Sequence, residues 1–260
     1  MGLTVDLNGI CNIGCEFCYQ NLDGSTLSER AIYKITDESE FDTVEIGGGE
    51  PLIDKRIIPI IKGIREKGKS VHISTNATFI PEGVLDLEDK IRKGTTVQVS
   101  LHASNPKLYE EITGRNLFNN VIKNIGRIKP KYDTVMSSVV YQRNLDDVQN
   151  LVGLAEELEL PLRINLVFPI GNGKNVKLLT QKQIDQLRGY LLVERIKRGS
   201  MIDSPLIHES NCTALEKGYG IEKKGLCPVD CDMKRYVSPR GEVYDCEFLQ
   251  ERLLEIEGTR

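Results

Sequence analysis

No apolar run in this 260-residue chain is long enough to span a bilayer. The opening stretch MGLTVDLNGICN has neither a basic segment followed by an apolar one nor a small-residue cleavage site, so no export signal is read there. A cytoplasmic protein without a membrane partner is expected. Neither charge sign dominates: the formal net charge is -4, with acidic and basic residues interleaved, which leaves no basic face for nucleic acid or anionic lipid. No repeat or low-complexity tract is present, and an ordinary apolar share with 28% charged residues excludes a disordered chain. Cysteine is absent between Cys18 and Cys212, so the seven cysteines fall into three near the start and four near the end. In a reducing compartment metal ligation explains such clustering better than disulfides do, and two separate sites are expected.

The first group stands in CNIGCEFCYQ, where Cys11, Cys15 and Cys18 are spaced Cys-x-x-x-Cys-x-x-Cys. One short loop of this kind can wrap a 4Fe-4S cube and bring three soft thiolates to three of its corners. The fourth iron then has no protein ligand and can bind a small molecule. Phe17 and Tyr19 flank Cys18, and aromatic cover there excludes water and tunes the potential. A structural zinc loop and three free core thiols are the alternative readings. Zinc needs a fourth Cys or His close by, and the first histidine is His72.

From residue 3 to about 198, short β-branched runs alternate with longer helical patterns. Strands are expected at LTVDLN, TVEIGG, SVHISTN, TVQVSLH, TVMSSVVY and LRINLVF. Helices are expected over 54–68, 117–129, 145–160 and 179–198, where apolar residues recur at three- and four-residue spacing. The predicted fold is α/β: a partial (β/α)6 TIM-like barrel over residues 1–198, followed by a small cysteine-rich domain over 199–260. Ligands bind at the carboxyl ends of strands in such folds, and the cysteine loop follows the first strand. PIGNGKN is read as an exposed loop.

The second strand runs into EIGGGEPLI, where Gly48, Gly49 and Glu50 precede Pro51. Glycines there let backbone approach a ligand, and carbonyl and carboxylate oxygens accept hydrogen bonds from an ammonium group. A glycine-rich turn is also a common exit from a strand. With both elements present, the chain resembles the radical S-adenosylmethionine (SAM) superfamily across roughly residues 3–198.

The resemblance implies that Cys11, Cys15 and Cys18 hold the catalytic 4Fe-4S cluster, that SAM chelates the open iron, and that Gly48, Gly49 and Glu50 bind its amino group. Reduction would cleave SAM to methionine and a 5'-deoxyadenosyl radical that abstracts hydrogen from substrate. It also implies SAM contacts at Phe17, Tyr19, Asn76, Ser100 and Ser138. Arg115 in EITGRN is similar to a family arginine that pairs with the SAM carboxylate; a solvated loop arginine is the other reading. His102 stands where many members carry Asp. Both a proton donor or acceptor titrating near neutrality and a satisfied histidine beneath a loop are open.

The tail resembles the opening motif of the SPASM domain and its shorter relative, the twitch domain, in CDMKRYVSPRGEVYDC. SPRGEVYD reads as a β-hairpin turning at Gly241. The resemblance implies an auxiliary 4Fe-4S cluster on Cys227, Cys231 and Cys246, with Cys212 as the remaining fourth ligand; a zinc site with four cysteines fits the count as well. The later cysteines of a full SPASM domain do not follow, and the cysteine motif begins without a peptide-recognition domain before it.

A radical SAM enzyme that oxidises or cross-links a peptide, protein or small-molecule substrate is therefore expected, fed by a low-potential donor such as ferredoxin or flavodoxin. The auxiliary cluster would accept the substrate electron. A non-catalytic electron carrier or scaffold is the competing class, and the Gly48–Glu50 run argues against it because a carrier needs no SAM pocket.

Overall fold

Each strand has two faces, and in this chain apolar and polar residues alternate along most of them. The computed structural model describes residues 2–207, 234–244 and 252–255. The elements run β1 (Gly2–Asp6), α1 (Glu29–Glu38), β2 (Thr43–Gly47), α2 (Ile57–Glu66), β3 (Ser70–Thr75), two short helices α3 (Glu82–Leu85) and α4 (Asp89–Arg92), then β4 (Thr95–Ser100). They continue with α5 (Pro106–Thr113), α6 (Phe118–Ile128), β5 (Asp133–Val140), α7 (Val148–Glu157), β6 (Leu162–Leu166), α8 (Gln181–Arg198) and β7 (Ile202–Asp203). The tail adds β8 (Lys234–Val237), β9 (Glu242–Tyr244) and β10 (Arg252–Glu255).

All six expected strands form. They pair in parallel in chain order from β1 to β6, with β7 added beyond β6, which is the partial barrel expected. Register sorts the two faces. Val5, Ile46, Ile73 and Val97 lie side by side across four strands, all at 3% exposure or less. This outer face meets α2 and its neighbours, and each such side chain contributes about 1.5–3 kcal/mol by leaving water. One residue earlier, Thr4, Glu45, His72 and Thr96 form the adjacent row and point inward. The core thus lies between sheet and helices, and this inward row of strand residues is polar.

Of the helices absent from the expectation, α5 matters to the site. α5 starts at Asn105, whose side chain accepts from the Leu108 N–H at 3.0 Å, and has Pro106 in its first turn and Gly114 closing it at φ 68°. α1 is capped by Ser28, which accepts from the Ala31 N–H. The tail hairpin forms as expected, with Tyr236 opposite Tyr244, Val237 opposite Val243 and Gly241 at φ 78°. Rather than standing off from the barrel, β8 pairs in parallel with β1 and extends the same sheet.

Candidate cluster and cofactor site

The cysteine loop leaves the carboxyl end of β1 and is braced by three other segments. The Gly14 and Glu16 N–H groups donate to the carbonyls of Thr113 (2.8 Å) and Ile112 (3.0 Å) at the end of α5. Those carbonyls lack partners within their own helix, so the loop satisfies them. The Cys18 carbonyl accepts from Asn172 N–H at 2.8 Å, so the PIGNGKN loop, although mostly exposed, supports the far end of the motif. Side chains add to this: the Glu16 carboxylate accepts from the Tyr141 hydroxyl and from both Nε (2.5 Å) and Nη2 (3.2 Å) of Arg143.

The glycine turn closes on the loop's entrance. Gly49 N–H donates to the Asn8 carbonyl at 2.7 Å and Glu50 N–H to the Ile10 carbonyl at 2.8 Å. A Cβ on Gly49 would lie 2.1 Å from the Ile10 carbonyl oxygen, and one on Gly48, at φ 124°, would lie 2.6 Å from that of Asn8. These glycines are required by backbone approach whether or not a ligand is near. Glu50 is buried, and its carboxylate accepts from Leu52 N–H (2.9 Å), Thr75 Oγ1 (2.6 Å) and Asn76 N–H (2.7 Å). Burial nevertheless pushes its pKa up to about 7 against these three bonds.

Below the loop a cavity of about 780 Å3 runs into the barrel. Cys11, Cys15, Cys18, Phe17, Tyr19, Gly48, Gly49, Glu50, Asn76, Ser100 and His102 all border it, so most of the expected site residues meet at one place. Two do not. Ser138 does not border the cavity; on β5 its neighbours Ser137 and Val139 do, because successive side chains face opposite ways. Ser138 is fully buried on the outer face of the sheet. Arg115 is exposed just past the end of α5 and does not border the cavity either, which is the solvated-loop reading.

Of the two readings left open for His102, the structure favours the satisfied, buried histidine over a group titrating near neutrality. Its Nδ1 accepts from Val139 N–H at 3.1 Å, and its ring stands edge-on to Phe17 with centroids 4.8 Å apart. The ring proton therefore sits on Nε2, and burial pulls the pKa down to about 4, so the imidazole is neutral at pH 7. Other residues that shape the site had only weak sequence signals. Asp6 accepts from Gln20 Nε2 (2.5 Å) and from the Tyr236 hydroxyl (2.7 Å), which ties the tail hairpin to the loop. Its position at the carboxyl end of β1 was the available clue.

The family model described as the radical SAM superfamily matches residues 6–155, more than half of the chain. This chain belongs to the radical SAM superfamily. It is 28% identical over 200 residues to a probable GTP 3',8-cyclase of Saccharolobus islandicus, an alignment covering 72% of this chain and 62% of that protein. A protein of the same name from Sulfurisphaera tokodaii is 29% identical over 183 residues, covering 66% and 58%. The chain thus spans less than two thirds of these relatives. Among solved structures, SuiB of Streptococcus suis bound to precursor peptide SuiA superposes with a TM-score of 0.76 at 18% identity, covering 98% of this chain and 61% of that one. The protein anSMEcpe with bound AdoMet gives a TM-score of 0.72 at 16% identity, covering 98% and 74%. At such identities the likeness is one of fold.

The superfamily carries a 4Fe-4S cluster and SAM, and the residues present fit a cube better than a single ion. The three thiols are free of disulfides and close enough for the charge on each of Cys11 and Cys18 to act on Cys15. Yet among the described residues no three Cys, His, Asp or Glu side chains converge as a single metal ion would need. A cube takes its ligands at separate corners. The Tyr109 hydroxyl, buried with no partner, is in addition pushed up by burial and by the nearby Cys15 charge. Burial raises all three thiol pKa values, which leaves them protonated until bound iron reverses the preference. The expected auxiliary ligands Cys212, Cys227, Cys231 and Cys246 lie outside the described residues.

Proposed function

We propose that this chain reductively cleaves SAM at a 4Fe-4S cluster held by Cys11, Cys15 and Cys18 and abstracts hydrogen from a substrate inside the barrel. The observation that supports this most directly is the joint between the cysteine loop and the Gly48–Glu50 turn at the edge of the barrel cavity. When bound, the cluster and SAM supply the reductive cleavage and the hydrogen abstraction. The chain's own part is to hold three thiols at separate corners, to offer turn oxygens to the SAM amino group, and to exclude water with Phe17 and Tyr19. Ser100, Ser137 and His102 Nε2–H then present hydrogen-bonding groups from neighbouring strand ends.

The substrate is a peptide or protein side chain, or a small polar molecule, that is oxidised or cross-linked. SuiB, similar in fold, is seen with a precursor peptide, whereas the curated relatives are named for GTP. Residues 199–260 are read as an auxiliary iron-sulfur region of the SPASM or twitch kind, with Cys212, Cys227, Cys231 and Cys246 as ligands and zinc as the alternative metal. It would take the substrate electron, and a ferredoxin or flavodoxin would feed the first cluster. The deciding experiment is 5'-deoxyadenosine formation by anaerobically reconstituted protein with dithionite and SAM. A protein with its clusters intact that releases none is a carrier or scaffold, and the proposal fails.

A further inference from the structure

β3 ends in a turn that brings Asn76 against Cys11. The Asn76 Nδ2 lies 3.7 Å from Cys11 Sγ and 2.9 Å from Asn12 Oδ1. Which end of the amide faces the sulfur is decided by Thr78. The Asn76 Oδ1 accepts from Thr78 N–H at 2.9 Å and from Thr78 Oγ1 at 2.7 Å, and a backbone N–H can only donate, so the oxygen is held there and the nitrogen must face Cys11. Asn12 Nδ2 closes the loop by donating to Thr78 Oγ1 at 2.7 Å. The turn itself is held in a costly shape. Ala77, fully buried, sits at φ 52°, a left-handed conformation that an L residue with a Cβ rarely adopts, and its carbonyl is taken by Asn124 Nδ2 at 2.8 Å.

We infer that Asn76 is a positioning residue for the Cys11 corner of the cluster, one whose amide N–H to the ligand sulfur raises the cluster's reduction potential, rather than mainly a contact to SAM. A hydrogen bond to a ligand sulfur favours the reduced, more negative cluster. Asn12 and Thr78 set the direction of that bond, and the strained turn at Ala77 keeps Asn76 over the sulfur. The inference rests on Cys11 being a cluster ligand, as proposed above.

The experiment is an EPR-monitored redox titration of reconstituted protein without SAM, so the readout does not depend on turnover. Asn76→Ala removes the donor and should lower the midpoint by roughly tenfold in the reduced-to-oxidised ratio, ~59 mV for a one-electron couple. Asn76→Asp keeps the acceptor for Thr78 but replaces the donor with an oxygen, and should lie lower still. Thr78→Val, which touches no ligand, should shift the midpoint part of the way, and Thr78→Ser should restore it. If Asn76 variants fail to hold iron, the Thr78 pair still carries the test. An unchanged midpoint in iron-loaded Asn76→Ala overturns the inference, most clearly if its SAM affinity falls instead. Wild-type protein that assembles no cluster at all defeats the earlier reading and not this one alone.

Discussion

Replacing Gly49 with alanine should unlatch the cysteine loop. The new Cβ would stand 2.1 Å from the Ile10 carbonyl oxygen, 2.4 Å from its carbon and 2.8 Å from its nitrogen. All three are backbone atoms, so no rotamer relieves the clash, and the turn must retreat by about an ångström or more to reach ordinary contact. That retreat breaks the bonds from Gly49 N–H to Asn8 and from Glu50 N–H to Ile10, now 2.7 and 2.8 Å long. Two lost backbone bonds at about 1 kcal/mol each and an overpacking cost of about 1–3 kcal/mol give a destabilisation of about 3–5 kcal/mol. This is a large part of the 5–15 kcal/mol typical of a folded domain. Denaturant unfolding of the metal-free protein measures it, and iron per chain after anaerobic reconstitution shows whether the loop still loads. Gly126→Ala is the control, because that glycine lies in α6 with nothing within 4 Å of its new methyl and should gain up to about 1 kcal/mol. Should Gly49→Ala unfold within 1 kcal/mol of wild type and load full iron, the turn is not a latch.

Three further outcomes are expected. Glu50 has a folded pKa of about 7 against 4.5 for the free group, so the native state binds the extra proton between those values and stability must fall as pH rises through that window. The loss is on the order of 3 kcal/mol in metal-free protein, and Glu50→Gln should abolish it; equal pH slopes in the two proteins would disprove the assignment. Tyr109→Phe removes a buried hydroxyl with no partner, so metal-free protein should gain about 1 kcal/mol while iron-loaded protein gains less. A clear loss in the metal-free form would mean the hydroxyl already has a structural role. Cys15→Ala should remove one cluster's iron and all SAM cleavage, whereas Cys231→Ala should spare the first cluster; unchanged metal content in Cys231→Ala would remove the case for a second site.

Strands were the most legible part of the chain, because a sheet with one apolar and one polar face writes an alternation that no helix produces. TVQVSLH and SVHISTN are examples, and both became strands within two residues of the expected bounds. The six cysteine-loop and glycine-turn residues named first, Cys11, Cys15, Cys18, Gly48, Gly49 and Glu50, met as expected because short motifs carry their own geometry. What was missed depends on register. Ser138 and Ser137 are adjacent in sequence, and only pairing with β4 and β6 decides which of them faces inward. Arg115 was chosen by motif likeness, but the left-handed cap at Gly114 ends α5 just before it and leaves it in solvent. Asn12 and Thr78 carried no signal of their own, since their role arises only when two loops distant in sequence come together.

The interior of this barrel also explains why there is a cavity to fill. TIM-like barrels with packed centres layer Val, Ile and Leu inward. Here the inward positions include Thr4, Glu45, Ser74, Gln98, Ser137 and Asn165, and some bond across strands: Ser74 to Glu45 at 3.2 Å, and Asn165 to Ser137 at 3.2 Å. Polar side chains tied to one another across strands lie along the walls of the cavity rather than filling it. Burying such groups dry would cost free energy at every unmade bond, whereas water or a polar ligand can complete them. Stability is therefore left to the outer face, where Val5, Ile46, Ile73 and Val97 pack under helices, and the inner face is left for recognition. A ligand that enters meets these hydrogen-bonding groups beside apolar surface from Phe17, Val139 and Leu166. Replacing Gln98 with leucine should consequently be tolerated by the fold while it excludes the substrate, and a variant that unfolds instead would show that the inner row is part of the core.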